Sequence, residues 1–261
     1  MSIGVFDSGV GGLTVFKAVS EYFPETDLYY LGDTARVPYG NKSPETIVRY
    51  SFECANYLIS NYKISTLVIA CNSASSYALD SLKNKLNIPI LGVVNPGAIK
   101  AIEVTKNNKI EVIGTQATVK SMSYVKAIEY YSDENIQIIQ KACPLFVPLV
   151  EEGIIDNDIA EKIIKYYLDD IIKTGIDTLV LGCTHYPVLR KKIMEIYHCI
   201  EIVDSSDIIV NHLINHNLIL KENGIRRIDV TDNSDSFERL KHHILGEIKV
   251  NSINMENVCS L

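Results

Sequence analysis

Positive charge is in short supply: 25 Lys and Arg stand against 32 Asp and Glu in 261 residues, a net charge of −7. A general binder of nucleic acid or of an anionic membrane needs a basic face, so neither partner is expected. A local basic pocket for a small acid stays open. Long apolar runs are missing too, and none approaches the roughly 18–20 residues that cross a bilayer. No basic stretch or signal-peptide pattern precedes the first apolar segment, so a cytoplasmic location is expected. The six cysteines include no C-x-x-C pair and no compact framework. That argues for reduced thiols and against disulfides, structural zinc or a thioredoxin-like redox pair. His198, His212, His216, His242 and His243 read as structural or solvated, and no metal site is expected. No low-complexity linker divides the chain.

What is present is a regular alternation. Short apolar runs at 3–7, 28–33, 66–72, 90–94, 110–115, 136–141, 178–183, 201–204 and 227–231 predict strands. Helical spacing fills 43–61, 74–86, 118–131, 157–174 and 187–197. Ser43 is a good N-cap, Pro44 fits the first helical position, and Gly175 is a stop just past a helix. The strands are apolar throughout, as expected when helices cover both faces of a parallel sheet. This predicts an α/β fold, doubly wound, with mostly parallel sheets and ligands at the carboxyl ends of the strands. The one turn signal suggesting a boundary is Asn95-Pro96-Gly97. The C-terminal fifth reads as scaffold.

Two segments repeat one pattern. Residues 64–73 read I-S-T-L-V-I-A-C-N-S, and residues 176–185 read I-D-T-L-V-L-G-C-T-H. The copies lie roughly a hundred residues apart, far longer than a solenoid or propeller period. Two α/β halves with equivalent strands, each ending in a cysteine, explain that spacing. If the halves face each other across a cleft, Cys71 and Cys183 reach one ligand from opposite sides. Racemisation needs that arrangement, one base and one acid on opposite faces of a carbon. A thiol suits the task when a helix N-terminus or nearby charge lowers its pKa from about 8.5 toward neutral. Either cysteine alone reads equally well as a buried small hydrophobe. That reading is given to Cys54, Cys143 and Cys199, and Cys259 is taken as a tail position.

Other strand ends are polar. Asp7-Ser8-Gly9-Val10-Gly11-Gly12 has G-x-G-G spacing, not the dinucleotide G-x-G-x-x-G, and lacks a P-loop lysine. Its backbone N–H groups suit a carboxylate better than a pyrophosphate. Asp7 orients a catalytic group or caps a helix. The loop 32–41 carries Arg36, with no role assigned, and Pro38-Tyr39-Gly40. Gly114-Thr115-Gln116-Ala117-Thr118 again suits an anion, with Thr118 as a ligand group. His185 stands two residues after Cys183 and is placed to assist it.

Together these motifs resemble the glutamate racemases, part of the aspartate/glutamate racemase family, in family order over roughly residues 3–207. They are Asp7-Ser8-Gly9-x-Gly11-Gly12, Gly32-Asp33, Pro38-Tyr39-Gly40, Ala70-Cys71-Asn72-Ser73-Ala74, Gly114-Thr115-x-Ala117-Thr118 and Gly182-Cys183-Thr184-His185-Tyr186-Pro187. Glu151, after Cys143-Pro144-Leu145-Phe146-Val147-Pro148, resembles the family's acidic position. The resemblance implies two pseudo-symmetric α/β domains with the active site between them. One is discontinuous, 1–94 with 206–261, and the other is 95–205. It implies no pyridoxal phosphate, metal or nucleotide cofactor, and production of D-glutamate for bacterial peptidoglycan. By the same analogy Cys71 takes the proton from D-glutamate and Cys183 from L-glutamate, assisted by Asp7 and His185. Asp7, Ser8, Tyr39, Gly40, Asn72, Ser73, Thr184 and His185 would hold the substrate. Ser73 departs from the threonine many members carry, and it keeps the hydroxyl. Members are often homodimers, and no sequence feature here selects an arrangement. The rival readings are a two-cysteine enzyme acting on aspartate or a hydantoin, a non-catalytic binder of small acids, and a cysteine hydrolase. The last leaves the second, matched cysteine without a role.

Overall fold

The apolar runs become strands because helices cover them. In a computed structural model that describes residues 2–215 and 223–259, His216 lies outside the described residues. The strands are β1 (Ser2–Asp7), β2 (Asp27–Gly32), β3 (Thr66–Ile69), β4 (Ile90–Gly92), β5 (Lys109–Gly114), β6 (Gln137–Ala142), β7 (Thr178–Gly182), β8 (Glu201–Val203), β9 (Arg226–Val230) and β10 (Val250–Ser252). All nine expected strands are among them. β10 is half exposed and carries no apolar run that would mark it.

These strands form two sheets in which every pairing is parallel, ordered β10-β9-β2-β1-β3-β4 and β6-β5-β7-β8. The order β2-β1-β3-β4 and the order β6-β5-β7-β8 are the same winding. Each places its second strand to one side of the first and its third to the other. The reversal, where ligands gather in such sheets, falls between β1 and β3 in one half and between β5 and β7 in the other. β3 and β7 are the strands of the repeated pattern. The C-terminal β9 and β10 extend the first sheet beyond β2.

Three expectations change. Asn95-Pro96-Gly97 is no turn: it lies in the helix Val94–Val104. Pro96 sits in the first helical turn, where its missing N–H loses no intrahelical bond. The predicted helix over 118–131 is two, Gln116–Ser121 and Ser123–Tyr131, broken at Met122, whose φ is 56°. Cys199 is exposed, whereas Cys54 and Cys143 are buried. Cys199 stands between the helix Arg190–Ile196 and β8, outside the sheet-facing positions that bury a small side chain.

One buried group has no obvious business in a core. Glu111, in the middle of β5 between Ile139 and Leu179, is fully buried, and neither carboxyl oxygen has a hydrogen-bond partner among the described residues. The nearby Lys141 ammonium donates to the Tyr167 carbonyl at 2.8 Å. Burial raises the Glu111 pKa to about 8, with Lys141 opposing it. An unfolded glutamate titrates near about 4.3. Folding therefore requires proton uptake by Glu111 between about pH 4 and 8, and stability falls as pH rises through that window. Glu111→Leu should remove this slope and raise stability at pH 8 by on the order of 2 kcal/mol. Denaturant midpoints at pH 6 and pH 8 check it, and equal pH slopes in the two proteins would refute it.

Candidate active site

Register sets the site. β1 pairs with β3 so that Phe6 lies beside Ile69, and β5 pairs with β7 so that Gly114 lies beside Gly182. The chain just past these pairs carries Asp7, Cys71, Thr115 and Cys183. Cys71 is the N-cap residue of the helix Asn72–Lys85. Both cysteines are nearly buried, 5% and 6% exposed. They line one cavity of about 20 Å³ between the two sheets. Of the residues expected to hold substrate, Ser8, Tyr39, Gly40, Asn72, Ser73, Thr184 and His185 line the same cavity.

The others stand behind this lining. Asp7 is fully buried and accepts the Gly9 N–H at 2.9 Å and the Thr184 hydroxyl at 3.2 Å. Glu151 Oε1 lies 3.2 Å from His185 Nε2. Thr118 is fully buried, and Thr115 takes the position at the cavity that the sequence reading gave to it. Thr115 is the N-cap of its helix: its hydroxyl accepts the Thr118 N–H and meets the Thr118 hydroxyl, both at 3.1 Å, and the Ser73 hydroxyl at 2.9 Å. The signal was available, since an N-cap at a strand's carboxyl end faces the cleft by construction. Val37, Pro38 and Val147 add apolar wall.

The loop after β2 is held from outside the cavity. The Tyr39 hydroxyl donates to buried Asp33, which also accepts Arg36 Nε at 2.6 Å and the Thr231 hydroxyl at 3.2 Å. Arg36 further pairs with Glu53 and stacks over the Tyr50 ring at 3.9 Å. Arg36 is thus a structural cation, and the Tyr39 hydroxyl is committed to Asp33. The C-terminal fifth takes part through Thr231, beyond β9. The glycine turn after β1 also works differently from a simple anion cradle. The Gly9 N–H is taken by Asp7, and Gly11 provides close approach. A Cβ there would fall 2.5 Å from Thr184 Oγ1 and 2.8 Å from the His185 nitrogen.

A family model for Asp/Glu/hydantoin racemases matches residues 3–213. The chain is 59% identical over 261 residues to a glutamate racemase of a Sulfurihydrogenibium species, covering all of both chains. Among solved structures it is similar to a glutamate racemase isoform of Bacillus anthracis, at 36% identity and TM-score 0.90, covering 97% of each chain. It is similar also to the glutamate racemase of Francisella tularensis in complex with D-glutamate, at 33% identity and TM-score 0.89, covering 100% of this chain and 98% of that one. The chain belongs to the Asp/Glu/hydantoin racemase family.

The two thiols of this racemase sit in opposite electrostatic settings. Burial, then the Asp7 carboxylate, push the Cys71 pKa up to about 12, against the opposing contact with Ser8 Oγ at 3.5 Å. The lowering expected from the helix N-terminus is outweighed, so Cys71 rests as a thiol, a proton donor. At the other thiol, His185 Nδ1 lies 3.9 Å from Cys183 Sγ. Burial works to lower the His185 pKa, but the contacts with Cys183 and Glu151 prevail and raise it to about 10. The imidazole is a cation at neutral pH and puts positive charge beside the Cys183 sulfur. Removing a negative neighbour favours a thiolate, so Asp7→Asn should lower the Cys71 pKa while wild-type Cys71 stays a thiol through pH 9. A titration of 13C-labelled cysteine by NMR reads both, and an unchanged Cys71 midpoint in the variant would contradict this account.

Proposed function

We propose that this racemase interconverts L- and D-glutamate with Cys71 and Cys183 as paired acid and base, supplying D-glutamate for peptidoglycan in the cytoplasm. The observation that carries the mechanism is that both cysteines, from equivalent strands of two facing sheets, line one cavity. Starting from L-glutamate, Cys183 as thiolate takes the α-proton. The electron pair left on the α-carbon delocalises into the adjacent carboxylate. The Cys71 thiol then gives its proton to the opposite face, leaving Cys71 as thiolate and Cys183 as thiol. From D-glutamate the same transfers run in reverse.

The supporting residues divide by half. His185, ion-paired to Glu151, holds positive charge at Cys183, and Asp7 stands at Cys71 with Thr184 fixing its carboxylate. Ser8, Asn72, Ser73, Thr115 and Thr184 supply polar groups for the substrate's ammonium and carboxylates, with Tyr39 and Gly40 closing one side. The halves are domains 1–94 with 206–261 and 95–205. They open to admit a substrate far larger than a cavity of about 20 Å³, which is room for roughly one water. The relative solved with D-glutamate supports the choice of substrate. Among the described residues no helix is long and apolar enough to cross a membrane.

The protein incubated with L-glutamate in deuterated buffer should lose its circular dichroism while deuterium enters the α-position. Cys71→Ala and Cys183→Ala should each reduce racemisation by about 10³-fold or more, because each direction needs one base and one acid. The two enantiomers are equally stable, so kcat/KM must fall by the same factor in both directions. Near-wild-type turnover in either variant would end the two-thiol mechanism.

A further inference from the structure

We infer that Tyr124 is a positioning residue for the racemisation: it sets the amide of Asn72 and ties that amide to the turn bearing Cys183. The inference rests on the reading that Asn72 holds the substrate. Tyr124 is the second residue of the helix Ser123–Tyr131, beyond the break at Met122, and only 1% of it is exposed. Its hydroxyl oxygen accepts Asn72 Nδ2–H at 2.8 Å, across the gap between the two sheets. Asn72 lines the cavity, and its Oδ1 is buried with no partner among the described residues. A buried amide oxygen without a partner is costly unless a donor reaches it, and the substrate's ammonium is a donor of the right charge. With Nδ2 held by Tyr124, the amide keeps Oδ1 available. Without that tie the amide is free to rotate, and part of the binding energy goes to ordering it.

The ring of Tyr124 is fixed within its own half. A Cβ at Gly182, next to Cys183, would lie 3.3 Å from Tyr124 Cε2, and one at Gly97 would lie 3.2 Å from its hydroxyl. Gly97 belongs to Asn95-Pro96-Gly97, which does not form the turn its sequence suggests. In the helix Val94–Val104 the glycine leaves space for this phenol. The ring therefore packs beside the helix Val94–Val104 and the end of β7 just before Cys183, while its hydroxyl holds the residue after Cys71. Burial raises the phenol pKa, so the group stays neutral and its oxygen remains an acceptor throughout the working pH range.

Tyr124→Phe removes the hydroxyl and keeps the ring contacts. We expect KM for both glutamate enantiomers to rise roughly tenfold, kcat to stay within about threefold, and the thermal midpoint to stay within a few degrees. In an Asn72→Ala background the same change should have no further effect on KM, because Tyr124 acts through Asn72. If Asn72→Ala raises KM and Tyr124→Phe leaves KM unchanged, this inference fails and the reading of Asn72 stands. If Asn72→Ala itself leaves KM unchanged, the reading of Asn72 fails and takes the inference with it. A Tyr124→Phe protein with a lowered thermal midpoint and unaltered kinetics would make Tyr124 a packing residue only. Additive effects in the double variant would show that it does not act through Asn72.

Discussion

The site depends on how closely the turn after β1 comes to the turn after β7. Two thiols can address opposite faces of one carbon only if the carboxyl ends of two sheets meet nearly in contact. Gly11 makes that contact possible, since a side chain there would collide with Thr184 and the His185 backbone. The hydrogen bond from Thr184 to Asp7 fixes it, so that the group flanking one thiol is held by the residue following the other. A second approach, where a Cβ at Gly40 would fall 2.5 Å from Thr115 Cβ, closes the cavity from the side of the β2 loop. The identical winding of the two halves then brings Cys71 and Cys183 to equivalent positions on either side.

Equivalent positions do not mean equivalent chemistry. The fold repeats, but the charges do not: a carboxylate stands at Cys71 and an imidazolium at Cys183. The proposed two-base reaction needs one thiol protonated at rest, and Cys71 beside its carboxylate is that thiol. The asymmetry comes from Asp7 on β1, from His185 where the other copy of the pattern carries Ser73, and from Glu151 behind it. The racemase halves thus share geometry and differ in charge.

Much of this was legible in the sequence because parallel sheets covered on both faces demand unbroken apolar runs, and nine strands announced themselves that way. The repeated strand–cysteine pattern exposed the two thiols for the same reason: each follows a fully buried strand, and both line one cavity. What escaped depends on contacts between segments distant in the chain. Thr118 drew attention by its motif, yet Thr115, as the N-cap, reaches the cleft. Asn95-Pro96-Gly97 carries turn chemistry that the first turn of a helix accepts equally well. Met122 carries no local signal for a left-handed break. Its neighbours compensate through side-chain bonds, Ser121 Oγ donating to the Thr118 carbonyl at 2.6 Å and accepting the Ser123 N–H at 3.1 Å. Arg36 could not be assigned because its partner Glu53 lies on the next helix.

The same tight approach that builds the site also shuts it. A cavity of about 20 Å³ is far smaller than glutamate, so the proposed turnover requires the halves to part. The contacts across the seam suit that requirement. Ser73 to Thr115 at 2.9 Å, Ser76 to Ser123 at 2.8 Å and Asn72 to Tyr124 at 2.8 Å are all hydrogen bonds between neutral side chains. Each contributes about 1 kcal/mol net, because water replaces the partner when the seam opens. A seam of buried ion pairs would instead strand charges on opening, at several kcal/mol each. The ion pairs of Arg36 and the buried Asp33 lie within one sheet's own layers, where they need never separate. Two features oppose opening: Thr184 donates to the buried Asp7 carboxylate at 3.2 Å, and one apolar cluster runs from Val10 and Leu13 to Leu181 and Tyr186, so packing and a charged acceptor hold the boundary beside the exchangeable bonds.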